Sequence, residues 1–360
     1  MQILGKWIDA WINFSPTGDE RWPNWVSPQV WVLLSGKQKE WCPDLPERYT
    51  LFHSWKVRET YEHPEDSESL IMIATDRIST HDVVHHWLIP WKGKALTQMS
   101  NYWFKYFSEH DDTKNIPNHL LNTSLPDDFP EELRNQAIVV QKLTPLPIEA
   151  IIRGYLYGSA LAWYDSETWR LKTWEYVGKW LHKCSKFEKP LFTPSTKSDK
   201  WDENVNFETM VQNLKFWLQD NWYENINADE LAKQIQDYSL RIYNTANSHA
   251  QEKWLILWDT KFEFALDKNW KLIVIDEVCT GDSSRLWVSH TVIEWKEPTS
   301  KDKQPVRDFV SDYWKVNPEK KKQPVQIPPA ITEDTSECYQ DISTIFSHKE
   351  CIKSKLIAPR

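Results

Sequence analysis

The chain has 360 residues, a formal net charge of −9 and a pI near 5.7. That balance excludes a surface built to neutralise nucleic-acid phosphates, so any anionic ligand must be held by a local cluster of cations. Five cysteines, Cys42, Cys184, Cys279, Cys338 and Cys351, are odd in number and form no C-x-x-C pair, so neither a disulfide framework nor a zinc site is expected. With no apolar run near the ~20 residues of a membrane span, the sequence predicts a soluble, cytoplasmic protein with neither nucleic acid nor membrane as a partner. It leaves the oligomeric state open.

Residues 1–47 hold Pro16, Pro23, Pro28, Pro43 and Pro46 among polar residues and read as an N-terminal extension of unassigned role. Its tryptophans, Trp7, Trp11, Trp22, Trp25, Trp31 and Trp41, would make an exposed aromatic arm if genuine, whereas glycine at those positions would make the segment a flexible leader. Over 48–140 the apolar runs are short and β-branched, as in Leu70 to Ala74, which predicts a small strand-rich lobe. Within it Ala95, Leu96, Met99, Trp103, Tyr106 and Phe107 recur at helical spacing and predict a helix with a core-facing stripe. Strands are expected at Ala137–Val140 and again at Ile148–Ile152, the second inside a larger lobe over 141–300. A long helix is predicted from Asp229 to about His249 by the stripe Leu231, Ile235, Tyr238, Ile242 and Ala246. A hairpin follows at 254–278, its two apolar runs meeting at Asn269-Trp270, where a two-residue turn would want Asn-Gly. Pro- and Lys-rich segments at 296–305 and 317–329 read as surface loops, and 332–346 as a last helix within a C-terminal region, 301–360, packed on the core. The pattern is that of an α+β protein, with no internal repeat.

Chemistry concentrates in the predicted hairpin. Glu263 and Asp276 interrupt apolar runs flanked by Phe262, Phe264, Ile275 and Val278. Such carboxylates are costly unless a cation or base compensates them. Lys261, two residues before Glu263, shares its face on a regular strand. A structural Lys–Glu pair would satisfy the same pattern, and Asp259 and Glu277 are close alternatives as metal ligands. Lys56 and Arg58 alone would suit a solvated edge strand, and Asp282-Ser283-Ser284-Arg285 a capped turn. His85, His86 and His119 lack metal-ligand spacing and read as surface or structural residues.

Several stretches, taken together and in order, point further: SWKVRETYE at 54–62, MIATDRIST at 72–80, IPWKGKALTQMSNYWF at 89–104, KLTPLPIEA at 142–150, IIRGYLYGSA at 151–160, LFTPSTKSDKWDEN at 191–204 and DTKFEFALDKNWKLIVIDEVCTGDSSRLW at 259–287. This set resembles the phosphoribosylaminoimidazole-succinocarboxamide synthase (SAICAR synthetase) family over roughly 48–345. The resemblance implies an ATP-grasp-like fold and an ATP-dependent ligase of purine biosynthesis that joins aspartate to a nucleotide carboxylate through an acyl phosphate. It implies a phosphate-binding loop at Lys56, Val57 and Arg58, a phosphate contact at Lys261, and Mg²⁺ on Glu263 and Asp276. For the anionic substrate it implies Asp76, Arg77, Ser79, Arg153, Gly154, Ser159, Ser195, Lys197, Ser283, Ser284 and Arg285, with Lys261, Lys197 and Arg153 nearest the reaction. The family's histidine just before Asp202-Glu203-Asn204 is missing here, where Trp201 stands instead.

The chain carries 23 tryptophans and 8 glycines, where a chain of this length would ordinarily hold about 25 glycines. Trp55, Trp91, Trp169, Trp174, Trp180, Trp201, Trp254 and Trp270 stand where the family resemblance implies glycine, whereas Trp103 and Trp287 stand where it implies tryptophan. A gene whose UGA codons mean glycine, translated with UGA as tryptophan, would give this pattern. If the tryptophans are genuine, the alternative is a non-catalytic nucleotide-binding or scaffold protein of the same fold, and a small-molecule kinase would use the same nucleotide lobe.

Overall fold

The computed structural model describes residues 45–173, 175–197, 203–221, 223 and 225–347. The first 44 residues, Trp174, Trp201 and Asp202 lie outside the described residues.

Two antiparallel sheets position the site. The first has the order β1-β2-β3-β6, formed by β1 (Leu51–Ser54), β2 (Arg58–His63), β3 (Asp66–Ala74) and β6 (Ala137–Gln141). Ile71 and Ile73 of β3, with Tyr61 and Val139, pack under Tyr49, Phe129 and Leu133. Between β3 and β6 the chain makes a small hairpin, β4 (Arg77–Thr80) and β5 (Val83–Leu88), then a helix, α1 (Lys92–Glu109).

The second sheet is built on β11 (Leu255–Leu266), twelve residues long. It pairs with β8 (Ile148–Tyr155), β12 (Leu272–Ile275), β13 (Ser284–Val288) and the two-residue β7 (Thr144–Pro145), while β9 (Lys186–Phe192) and β10 (Ser195–Thr196) pair with β8. Trp258, Thr260, Phe262 and Phe264 are buried. The alternate residues Asp259, Lys261 and Glu263 must then form a polar row along the opposite face.

Among the described residues the further α-helices are α2 (Gly158–Trp163), α3 (Phe207–Asp220), α4 (Ala228–Glu252), α5 (Gln304–Val316) and α6 (Pro329–Ser347). In α4 the predicted stripe buries Leu231, Ile235, Ile242 and Ala246, with Tyr238 half-buried, and the helix packs on β8 and β11. Helix α1 packs on α6, with Trp103 and Phe346 rings 4.8 Å apart.

Two elements depart from expectation. The 254–278 hairpin is not closed by a two-residue turn: Leu266 pairs with Leu272, leaving a five-residue connection from Asp267 to Lys271. The Asp267 side chain causes this by accepting from the N–H groups of Asn269 and Lys271, both at 2.8 Å, and Trp270 N–H closes onto the Asp267 carbonyl. Only Trp270 takes a positive φ, 64°. The second departure is α5, which begins inside the segment read as loop. Its Pro305 sits in the first turn, where a missing N–H costs nothing.

Candidate active site

The turn between β1 and β2 brings Ser54, Trp55, Lys56 and Val57 to the rim of a cleft of about 690 Å³. Glu149 of β8, Lys261 and Glu263 of β11, Asp276 after β12, Arg58 and Lys197 line the same cleft, and Leu70, Met72, Val140, Leu143 and Ile275 supply an apolar wall. An apolar wall facing a few convergent charges suits a ligand with a flat ring and an anionic tail. The sequence-predicted Lys56, Val57, Arg58, Lys197, Lys261, Glu263 and Asp276 are thus brought together.

The charges are closely coupled. Lys261 Nζ donates to Glu149 Oε1 at 3.0 Å and to Glu263, while Lys197 pairs with the other Glu263 oxygen. Arg58 holds Asp276 at 2.7 Å and Glu277 beside it. Burial alone would raise the Glu263 carboxyl, but the ammonium groups of Lys261 and Lys197 outweigh it and hold Glu263 below the usual carboxylate range. Burial would likewise lower Lys261, yet Glu263, Glu149 and Asp276 keep it firmly charged. Asp276 behaves oppositely: burial, reinforced by Glu263 and Glu277 and opposed by Arg58, pushes it up to about 6. A carboxylate that resists ionisation beside two others sits where an added cation would be favoured.

Two residues along β11 from Lys261, about 7 Å away on the same face, Asp259 gathers Arg285 at 3.1 Å and Arg153 at 3.4 Å. Register explains this, because Asp259 lies opposite Arg153 on β8 and opposite Arg285 on β13. Arg285 stacks over Trp258 at 4.2 Å, and Arg153 Nε donates to Thr193 at 3.0 Å. Burial lowers the Arg153 guanidinium to about 10, with Asp259 opposing and Arg285 reinforcing. Close by, Asp282 is paired with Lys92 at 2.7 Å and Lys303 at 3.5 Å, and accepts from Tyr339. Burial lowers Lys303 to about 8, opposed by Asp282 and reinforced by Arg307 and Lys92. Arg307 in turn feels both Arg285 and Asp259, so the two groups form one cation cluster.

The remaining predicted residues have mixed placements. Ser159 follows Gly158, where a Cβ would lie 2.9 Å from Arg285 Nη1. Gly154 is needed for packing, since a Cβ there would meet the Tyr243 hydroxyl at 2.2 Å. Ser195 donates to Glu149 at 3.1 Å. Ser283 and Ser284 belong to a hydroxyl chain with Thr280 and Thr260 that ends on Glu277. Asp76, Arg77 and Ser79 are engaged elsewhere: Asp76 accepts from Gly93 N–H at 2.8 Å, Arg77 pairs with buried Glu59 and donates to the carbonyls of Trp55 and Arg58, and Ser79 pairs with Val84 in the β4–β5 hairpin.

Sequence reasoning missed Glu149, Lys92, Lys303 and Arg307. Only strand register places Glu149 beside Lys261, and only tertiary packing brings the three cations to Asp282 and Asp259. His119 is buried in the cleft wall and held neutral, with burial and then Arg58 lowering it to about 3.

A nucleotide-sized cleft joined along one strand to a second cluster of buried and half-buried cations defines an α+β enzyme that works on two anionic substrates. The SAICAR synthetase family model matches residues 51–324. Phosphoribosylaminoimidazole-succinocarboxamide synthase of Actinobacillus succinogenes is 37% identical over 294 residues, covering 80% of this chain and 94% of the relative. That of Corynebacterium urealyticum is 38% identical over 314 residues, covering 84% and 95%. The structure of the Saccharomyces cerevisiae SAICAR synthase complexed with SAICAR superposes with a TM-score of 0.69 at 30% identity, covering 85% of this chain and 98% of that one. The chain belongs to the SAICAR synthetase family. It is an ATP-dependent carbon–nitrogen ligase of purine biosynthesis, which joins L-aspartate to 5-amino-1-(5-phosphoribosyl)imidazole-4-carboxylate to give SAICAR, ADP and phosphate.

Proposed function

We propose that the cleft beneath the β1–β2 turn holds ATP and that the Arg153–Arg285 cluster holds the imidazole nucleotide, so that transfer occurs along the polar face of β11. The observation that carries this is the alternation Asp259, Lys261, Glu263 on one strand face. It sets Lys261 about 7 Å along the strand from Asp259, the carboxylate that gathers Arg153 and Arg285, so that the two ligands would meet along one strand face.

In this reading the substrate carboxylate oxygen attacks the γ-phosphorus and the β–γ bridging bond breaks to release ADP. Lys261 and Lys197 face the charge that gathers on the phosphoryl oxygens. The aspartate amine then attacks the acyl carbon, phosphate leaves, and the nitrogen gives up a proton as the amide forms. Arg153 and Arg285 supply two-point donors to carboxylate or phosphate.

Among the described residues, no group of three or more His, Cys, Asp or Glu is arranged to hold a metal. Mg²⁺ nevertheless fits, because it is commonly bound by one or two carboxylates with nucleotide phosphates completing the shell. The crowded, reluctantly ionised Asp276, next to the register partner of Glu263 on the paired strand, makes with Glu263 such a pair, and the ion would supply charge neutralisation on the phosphates. Cytoplasmic residence suits Cys184, Cys279 and Cys338, which are thiols and not disulfides; among the described residues no helix is long and apolar enough to cross a membrane.

Lys261→Ala and Asp276→Asn are expected to abolish aspartate-dependent ADP release while the circular dichroism spectrum is unchanged. Turnover near that of the parent in either variant would remove the site assignment.

A further inference from the structure

Of the fourteen described tryptophans, eleven fall into two classes by backbone conformation and exposure; half-buried Trp163 and Trp217, and exposed Trp55, have no positive φ and belong to neither. Trp87, Trp103, Trp258, Trp287 and Trp314 are at most 8% exposed and are absent from the residues with positive φ. Trp91, Trp169, Trp180, Trp254, Trp270 and Trp295 all have φ between 54° and 68°. Except for half-buried Trp169, each of these six is at least 45% exposed. Among the described residues, six of the twelve non-glycine residues with positive φ are therefore tryptophan, a residue whose bulky side chain makes the left-handed conformation costly.

Local roles sharpen the argument. Trp254 occupies the position after the C-cap of α4, and its N–H bonds the Gln251 carbonyl, as in a helix ending that usually employs glycine. Trp91 is the N-cap of α1 at φ 68° and offers no side-chain cap. Trp270 and Trp169 fill equivalent places in two loops, each just before a residue whose carbonyl receives the N–H of the opening aspartate, Asp267 or Asp165. These are separate backbone jobs in separate turns, which is how glycine is distributed, not how a docking patch is built. Exposed indoles there gain little burial to offset the strain.

We infer that the polypeptide made in its own cells carries glycine at 91, 169, 180, 254, 270 and 295, through UGA codons decoded as glycine, with the core tryptophans encoded by UGG. Position 55 joins the set on a different observation, one that rests on the nucleotide reading above. The Trp55 indole lies in the cleft lining, 4.0 Å from the His53 ring and 4.8 Å from Lys197 Nζ. There it covers a cation assigned to the transferring phosphate, and glycine would uncover it.

The deciding experiment is peptide mass spectrometry on the protein purified from its source cells. The tryptic peptide spanning 254–261 contains one tryptophan of each kind, Trp254 and Trp258. The expected mass corresponds to a single tryptophan-to-glycine exchange, with fragment ions placing glycine at 254 and tryptophan at 258. Two tryptophans would overturn the inference, and two glycines would overturn the division into classes. Neither outcome depends on activity, so failure here is distinct from failure of the proposed function. For position 55, Trp55→Gly in the chain made with tryptophan throughout is expected to tighten ATP binding about tenfold, the scale of one recovered contact to a charged phosphate. Unchanged affinity would remove position 55 from the set.

Discussion

At the residue scale the site is governed by how each charge is offset in a dry environment. Lys261, Glu263 and Asp276 stand out in the sequence because ionisable residues punctuating apolar strands are expensive, so the pattern itself signals compensation, and the structure brings all three to one cleft with charged partners. Glu149 was not legible, since nothing in KLTPLPIEA states that its register lies beside Lys261. Gly158 offers a test at this scale. It has φ 58°, and a Cβ there would crowd Arg285 Nη1 at 2.9 Å and Trp258 at 3.2 Å. Gly158→Ala is expected to cost about 1–2 kcal/mol of stability from the left-handed backbone alone. It should also raise KM for the imidazole nucleotide more than KM for ATP, because the displaced guanidinium belongs to the cation cluster. Steady-state kinetics with each substrate varied would check this, and equal changes in both KM values would count against placing the nucleotide at Arg285.

At the element scale, legibility followed the strength of the local pattern. Helix α4 and the strands around Leu70, Ala137 and Ile148 were readable because apolar periodicity and burial coincide. Strands β7 and β10, two residues each, have no period to read. Helix α5 was hidden by the Lys- and Pro-rich segments on either side, although its buried residues Val306, Val310 and Trp314 follow helical spacing. The hairpin loop was misjudged because the side chain of Asp267 replaces turn hydrogen bonds that a sequence-level count assigns to the backbone. The start of α4 gives a clean test. Asn227 accepts from the N–H groups of Asp229 at 2.9 Å and Glu230 at 3.3 Å. Asn227→Ala is expected to destabilise the protein by about 1 kcal/mol, measured by urea unfolding, with kinetics unaltered at a temperature well below the transition. Asn227→Ser should recover most of that loss.

At the scale of the whole molecule, a chain of net charge −9 gathers buried Arg153 and Lys92 with half-buried Arg285, Arg307 and Lys303, and such a gathering makes folding and ligand binding compete for the same protons. Lys303 is the member best placed to report it, lowered from the ordinary 10.5 to about 8 by burial, against Asp282 and with Arg307 and Lys92. Between pH 8 and 10.5 the unfolded chain holds this proton and the folded chain does not. The unfolded state therefore binds more protons, and stability must rise with pH across that window. Below pH 8 both states are protonated, so the folded protein carries the full cost of a buried ammonium, on the order of 3 kcal/mol. Lys303→Met should remove that cost: the variant is expected to gain on the parent at pH 7 and to lose the advantage by about pH 10, read from urea unfolding of both proteins at both pH values. A dianionic phosphate bound among these cations would restore the proton to Lys303. Calorimetric titration of the parent with the imidazole nucleotide at pH 8, in two buffers of different ionisation enthalpy, should then show proton uptake that the variant lacks. Equal heats in both buffers would place the phosphate away from Lys303 and confine the nucleotide to the Arg153–Arg285 end of the cluster.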